Sequence, residues 1–122
     1  MIAAITTRIT KEANYFELRD SISHDLLENI SKHKYLPLLV TNSNISPEKF
    51  YQNFKFDILI LSGGDDLIFK TNSSIYKKRD EVEKRFLEFS LEKNIPVIGI
   101  CRGMQLINIF FGGSLTLLRD NT

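Results

Sequence analysis

Four short apolar runs recur along the chain: Ile2 to Thr7, Leu36 to Thr41, Asp57 to Ser62 and Pro96 to Ile100. None alternates apolar with polar residues. A strand of that kind is buried on both faces, which an antiparallel sheet with one wet face does not require. Between the runs lie longer amphipathic stretches that supply the cover. Arg19 to His33 reads as a helix with Ile22, Leu26, Leu27 and Ile30 on one stripe. Ser46-Pro47-Glu48 reads as an N-cap with proline at the first helical position, opening a short helix that ends near Phe54. Tyr76 to Asn94 carries Val82, Phe86 and Phe89 at helical spacing, and Asn94 stands where a left-handed cap residue belongs. Arg102 to Phe111 is apolar almost all round, which predicts a buried helix stopped by Gly112-Gly113. Ser114 to Leu118 offers a fifth strand, and Lys70 to Lys78 the most mobile loop.

Strand and helix in alternation predict an α/β fold with a doubly wound, mostly parallel sheet. Ligands of such sheets bind at the carboxyl ends of the strands. That directs attention to the loops after Thr7, Ser62 and Ile100. With 122 residues, 43% of them hydrophobic, the chain makes one domain, spanning residues 1–122. Sixteen Lys and Arg against fifteen Asp and Glu leave a net charge of +1, which removes the electrostatic case for nucleic acid or an anionic membrane. No apolar run reaches the about 18 residues of a membrane span. A single cysteine excludes a disulfide framework and a multi-cysteine zinc site, and a free thiol suits a cytoplasmic protein. No metal or cofactor is implied, because the phosphate-cradling glycine motifs are absent too.

The chemistry concentrates in Gly99-Ile100-Cys101-Arg102-Gly103-Met104-Gln105. A buried strand runs straight into a helix with Cys101 at the corner and a glycine two residues to either side. Small neighbours are what a sharp, strained strand-to-helix turn needs. The helix N-terminus would favour the thiolate form of Cys101, making it a nucleophile. Its competing role is that of a small buried hydrophobe. Leu61-Ser62-Gly63-Gly64-Asp65-Asp66 ends the third strand at the same sheet edge. Paired glycines there can turn N–H groups toward an oxyanion, with the N–H groups of Gly64 and Arg102 as the natural pair. Lys77-Lys78-Arg79, followed by Asp80, Glu81 and Glu83, reads as an exposed, charge-paired helix start. Arg19-Asp20 reads as a solvated first helical turn.

Taken with Pro96 to Asn108, Gly112 to Leu115, Ala4 to Arg8 and Arg79 to Glu83, these motifs resemble the class I glutamine amidotransferase superfamily, in its γ-glutamyl-γ-aminobutyrate hydrolase (peptidase C26) branch. The resemblance implies a flavodoxin-like three-layer fold. It also implies a cysteine hydrolase that forms a γ-glutamyl thioester and releases glutamate with water. Gly63 and Gly64 would line the oxyanion loop, and Gln105 would hold the amino-acid end of a small γ-glutamyl substrate. The family's catalytic histidine and acid follow the nucleophile, whereas His24 and His33 both precede Cys101 and Asp120 is the one acid after it. The expectation is therefore an N-terminal part of the domain, inactive alone, that is completed by a C-terminal segment or associates as a homo-oligomer. The alternative is a non-catalytic module that binds a γ-glutamyl compound or a partner protein.

Overall fold

The computed structural model describes residues 1–64, 74–116 and 118. Four parallel strands form the sheet in the order β4-β1-β5-β6: β1 is Ile2–Thr6, β4 Leu36–Val40, β5 Ile58–Leu61 and β6 Val97–Gly99. The helices are α1 (His24–Lys32), α2 (Pro47–Asn53), α3 (Ser74–Glu92) and α4 (Arg102–Phe110). The sheet is parallel and flavodoxin-like, as the unbroken apolar runs predict. Its two inner strands carry the deepest burial, with Ala3, Ala4, Ile5, Leu59 and Leu61 fully enclosed.

Side chains leave a strand alternately to its two faces, so each inner strand feeds two cores. Ala4, Leu59 and Leu61 join Phe56, Val82, Phe86, Leu87, Phe89 and Leu106 on the side of α2, α3 and α4. Ala3, Ile5 and Ile60 join Ile30 on the side of α1, where Leu26 and Leu27 are partly buried. Local signals hold where they are chemically specific. The Ser46 hydroxyl accepts from the Lys49 N–H at 3.1 Å and caps α2. Asn94 takes the left-handed conformation after α3, with φ 57°. Pro37, which cannot donate to a ladder, lies on an edge strand.

Four expectations need correction. The stretch beginning at Arg19 does not start a helix: β2 (Arg8–Lys11) and β3 (Leu18–Ser21) pair as an antiparallel hairpin, and α1 begins only at His24. Asp20 consequently leaves no helix start to favour. Its carboxylate accepts from the Asn42 backbone and side-chain N–H groups, both at 2.9 Å, and pins the hairpin to the end of β4. Helix α4 is buried on one face only: Arg102, Gly103 and Leu106 are enclosed, while Met104 is 61% exposed. Residues 114–116 and 118 form no strand, and position 117 lies outside the described residues. Of the expected loop, residues 74–78 open α3 and 70–73 lie outside the described residues.

Candidate active site

Cys101 joins β6 to α4, and its backbone has φ 50° and ψ −104°. A non-glycine residue there is strained, and the strain persists only because its surroundings leave no alternative. The flanking glycines show why. A Cβ at Gly99 would lie 2.7 Å from the Gly103 carbonyl carbon and the Met104 nitrogen. One at Gly103 would strike the Leu61 carbonyl oxygen and lie 2.7 Å from the Leu61 Cβ. The turn thus closes on itself and presses α4 against β5. The corner is held further by the Gly103 N–H, which donates to the Ile100 carbonyl at 2.9 Å, and the Gln105 N–H, which donates to the Cys101 carbonyl at 3.1 Å. Cys101 is exposed, so its environment is not that of a small core hydrophobe.

The loop after β5 lies directly beside this corner. A Cβ built at Gly63 would be 3.6 Å from the Cys101 Cβ. Gly64 has φ 81°, and the Arg8 guanidinium packs over it so closely that a Cβ would lie 2.8 Å from Arg8 Nε. The left-handed backbone is what calls for glycine at 64, since the long Arg8 side chain can shift. Asp65 and Asp66 of the same motif, like Asp120, lie outside the described residues. Gln105 is half-buried one turn into α4. A cavity of about 290 Å³ opens between the hairpin and α1, lined by Arg8, Ser21, Ser23, Gly63, Gly64 and Ile100 among others. The N-terminus of α1 therefore reaches the same sheet edge as Cys101. His24 is the first residue of that helix, rather than lying a turn inside it. His33 caps its far end, with Nδ1 2.8 Å from the Asn29 carbonyl oxygen.

The helix start read as exposed contains three of the buried charges found among the described residues. Lys77 and Lys78 are exposed, but Arg79, Asp80 and Glu83 are enclosed. Arg79 Nε donates to Glu83 Oε1 at 2.5 Å. Its Nη2 donates to the carbonyls of Ser62 (2.9 Å) and Gly63 (3.0 Å) and to the Ser62 hydroxyl (3.1 Å), while Nη1 donates to the Gly64 carbonyl at 2.6 Å. Arg102, likewise buried, pairs with Asp80 and donates to Glu83 Oε1 at 2.8 Å. Two cations and two carboxylates thus tie the Gly63-Gly64 loop to the residue that follows Cys101. Burial pushes the Glu83 carboxyl up from its ordinary value against the pull of Arg79 and Arg102. The i,i+4 spacing of Arg79 and Glu83 is visible in the sequence and marks the pair, though not its burial.

The model of the family described as Peptidase C26 matches residues 1–119. The chain belongs to the peptidase C26 family. That placement is consistent with the class I glutamine amidotransferase-like resemblance carried by the elbow motif. Among its relatives is the γ-glutamyl-CDP-amidate hydrolase of Campylobacter jejuni, 32% identical over 116 residues, which make up 95% of this chain and 58% of the relative. The chain spans little more than half the length of that protein. The glutamine-hydrolysing GMP synthase of Dictyostelium discoideum is 37% identical over 57 residues, 47% of this chain and 7% of the relative. A putative glutamine amidotransferase-like protein of Rickettsia prowazekii is 35% identical over 74 residues, 61% of this chain and 21% of the relative. Among the described residues of this C26 chain, no helix is long and apolar enough to cross a membrane, and no group of three or more His, Cys, Asp or Glu could hold a metal ion.

Proposed function

We propose that this chain carries the nucleophile and oxyanion loop of a γ-glutamyl amide hydrolase. The observation that carries the reading is the strained, exposed Cys101 corner set against Gly63. The sulfur attacks the γ-carbonyl carbon of the substrate, and the carbonyl oxygen takes the negative charge. N–H groups from Gly63, Gly64 and Arg102 are the donors offered to it, and such preorganised donors are a main source of rate in acyl transfer. The tetrahedral adduct collapses, the C–N bond breaks, and the amine departs with a proton. Water then attacks the thioester, releasing glutamate and returning the thiol. Gln105, one turn along α4, holds the amino-acid end of the substrate. The names of the Campylobacter and Dictyostelium relatives support a γ-glutamyl compound or glutamine as the substrate class.

Both the departure of the amine and the attack by water call for a positioned acid or base, usually histidine. No histidine follows Cys101 in this sequence. The 122-residue chain alone is therefore expected to acylate at Cys101 only where the leaving group departs without a proton, and to turn over amides only at a trace rate. The test is glutamate release from a γ-glutamyl amide, together with mass spectrometry of the protein after an activated γ-glutamyl ester, with Cys101→Ala as the blank. A Cys101-bound glutamyl group with little free glutamate supports the proposal. No adduct at all favours the non-catalytic binding module. Rapid cysteine-dependent turnover would show that the base is present, and His24→Ala is then the first variant to assay, since His24 lies at the site's edge of the sheet.

A further inference from the structure

We infer that Arg79 is a positioning residue for the oxyanion donors, an inference that rests on the hydrolase reading above. The side chain is fully buried, and one guanidinium binds three successive carbonyl oxygens, those of Ser62, Gly63 and Gly64. A trans peptide is planar, and its N–H points opposite to its C=O. Holding the Ser62 and Gly63 carbonyls therefore fixes the directions of the Gly63 and Gly64 N–H groups. Without that hold, a Gly-Gly pair has the widest backbone freedom of any dipeptide. A donor that must reorganise during the reaction loses most of its value. Glu83 locks the guanidinium from the other side through Nε, and its Oε1 also accepts from Arg102, next to the nucleophile. The loop and the elbow are thus indexed to each other through one carboxylate oxygen. Arg79 touches no reacting atom. Lysine cannot replace it, because an ammonium is a point charge and not a planar fork.

The test separates chemistry that forms an oxyanion from chemistry that does not. The p-nitrophenyl ester of a γ-glutamyl group acylates Cys101 through a tetrahedral oxyanion and releases p-nitrophenolate, which leaves without a proton. Iodoacetamide alkylates the same sulfur by direct displacement of iodide. Arg79→Lys is expected to slow the nitrophenolate burst by about 10²–10³-fold, the scale of losing an oxyanion donor. Its alkylation rate should stay close to that of the parent chain. Glu83→Gln keeps the side-chain shape and weakens the hold on Nε, so it should give a smaller fall with the same selectivity; it also serves if Arg79→Lys does not fold. Equal losses in both reactions, or no loss in either, would overturn the inference. If the parent chain itself gives no burst, the hydrolase reading fails. The positioning claim is then decided by the amide resonances of Gly63 and Gly64. It stands if Arg79→Lys shifts or broadens them while those of Ala3 and Ala4 stay in place, and it falls if they do not move.

Discussion

The two faces of the sheet are built from the same strands and finished very differently. On the face of α2, α3 and α4, Phe50 meets Phe56 and Phe86 edge to face and Phe89 lies tilted against Phe56, around Leu59 and Leu61, and a buried network of charges seals the end nearest Cys101. On the face of α1, Ile58, Ile60, Ile98 and Ile100 border an apolar groove of about 380 Å³ with Leu26 and Tyr35, and Ile98 is 48% exposed. The rigid groups of the candidate site, the elbow and the loop carbonyls, are anchored to the closed face. The cavity beside Gly63 and Gly64, lined also by Ile22, Leu26 and Ile100, lies toward the other.

The comparison is broken most directly by removing a charge from the closed face. Arg102→Met removes the guanidinium that pairs with Asp80 and Glu83, and deleting one partner of a buried pair costs about 3–5 kcal/mol. Urea unfolding should show that loss, and a loss under about 1 kcal/mol would mean that the network is better solvated than its burial indicates. Gly103→Ala comes next. Its new methyl group meets the Leu61 backbone, which cannot swing aside as a flexible side chain would, so about 1–3 kcal/mol is expected. An unchanged unfolding midpoint would show that α4 can slide off β5.

The closed face is also where the sequence is hardest to read. The elbow is legible because its constraint is local: two glycines around one cysteine have few other uses. The four strands are legible as unbroken apolar runs, although only the two inner ones are enclosed: Leu36 and Leu39 of β4 and Ile98 of β6 stand exposed at the sheet's edges. The charge network is not. Arg79, Asp80 and Glu83 look like any solvated first turn, and what buries them is Arg102, 22 residues beyond Asp80, together with the loop carbonyls. The hairpin fails for a different reason. Leu18-Arg19-Asp20-Ser21 fits a strand or a helical turn equally well, and the choice is made by its pairing with Arg8–Lys11 and by the Asn42 clip. Gly63 and Gly64 lie between these cases: the motif marks a turn, and only the fold brings it against Cys101.

A subtler test uses pH. Glu83 is raised mainly because burial disfavours its charged form, with Asp80 adding to the rise. Above the ordinary value of 4.5 and below its own raised value, the folded chain holds a proton on Glu83 that the unfolded chain has released. Stability therefore falls as pH rises through that window, opposite to the usual behaviour of a paired carboxylate. Glu83→Gln lacks this dependence. The stability of the parent chain relative to Glu83→Gln should decline as pH rises from 4.5 into the window. A difference that grows instead would mean that the two arginines outweigh the burial.

The smallest effect is expected on the open face, and its smallness is informative. Ile98 lies on the edge strand β6, half exposed, with Ile60 of β5 as its register partner. Ile98→Thr keeps the β-branch and hence the strand preference, and removes apolar surface about half of which is already in water. In the isolated chain the change in stability should stay within about 0.5 kcal/mol, as for most surface substitutions. The same substitution at Ile60, which is 6% exposed, would bury a hydroxyl in the core and cost several times more. Two residues on neighbouring strands, bordering one groove, would then differ only in how much of each the folded chain covers. If Ile98→Thr proves as costly as Ile60→Thr, the groove is covered in solution by something that shields Ile98, and sedimentation of the parent chain would show whether that is a second copy. The contrast between a sealed face and an open one would then hold for the single chain and not for the protein in solution.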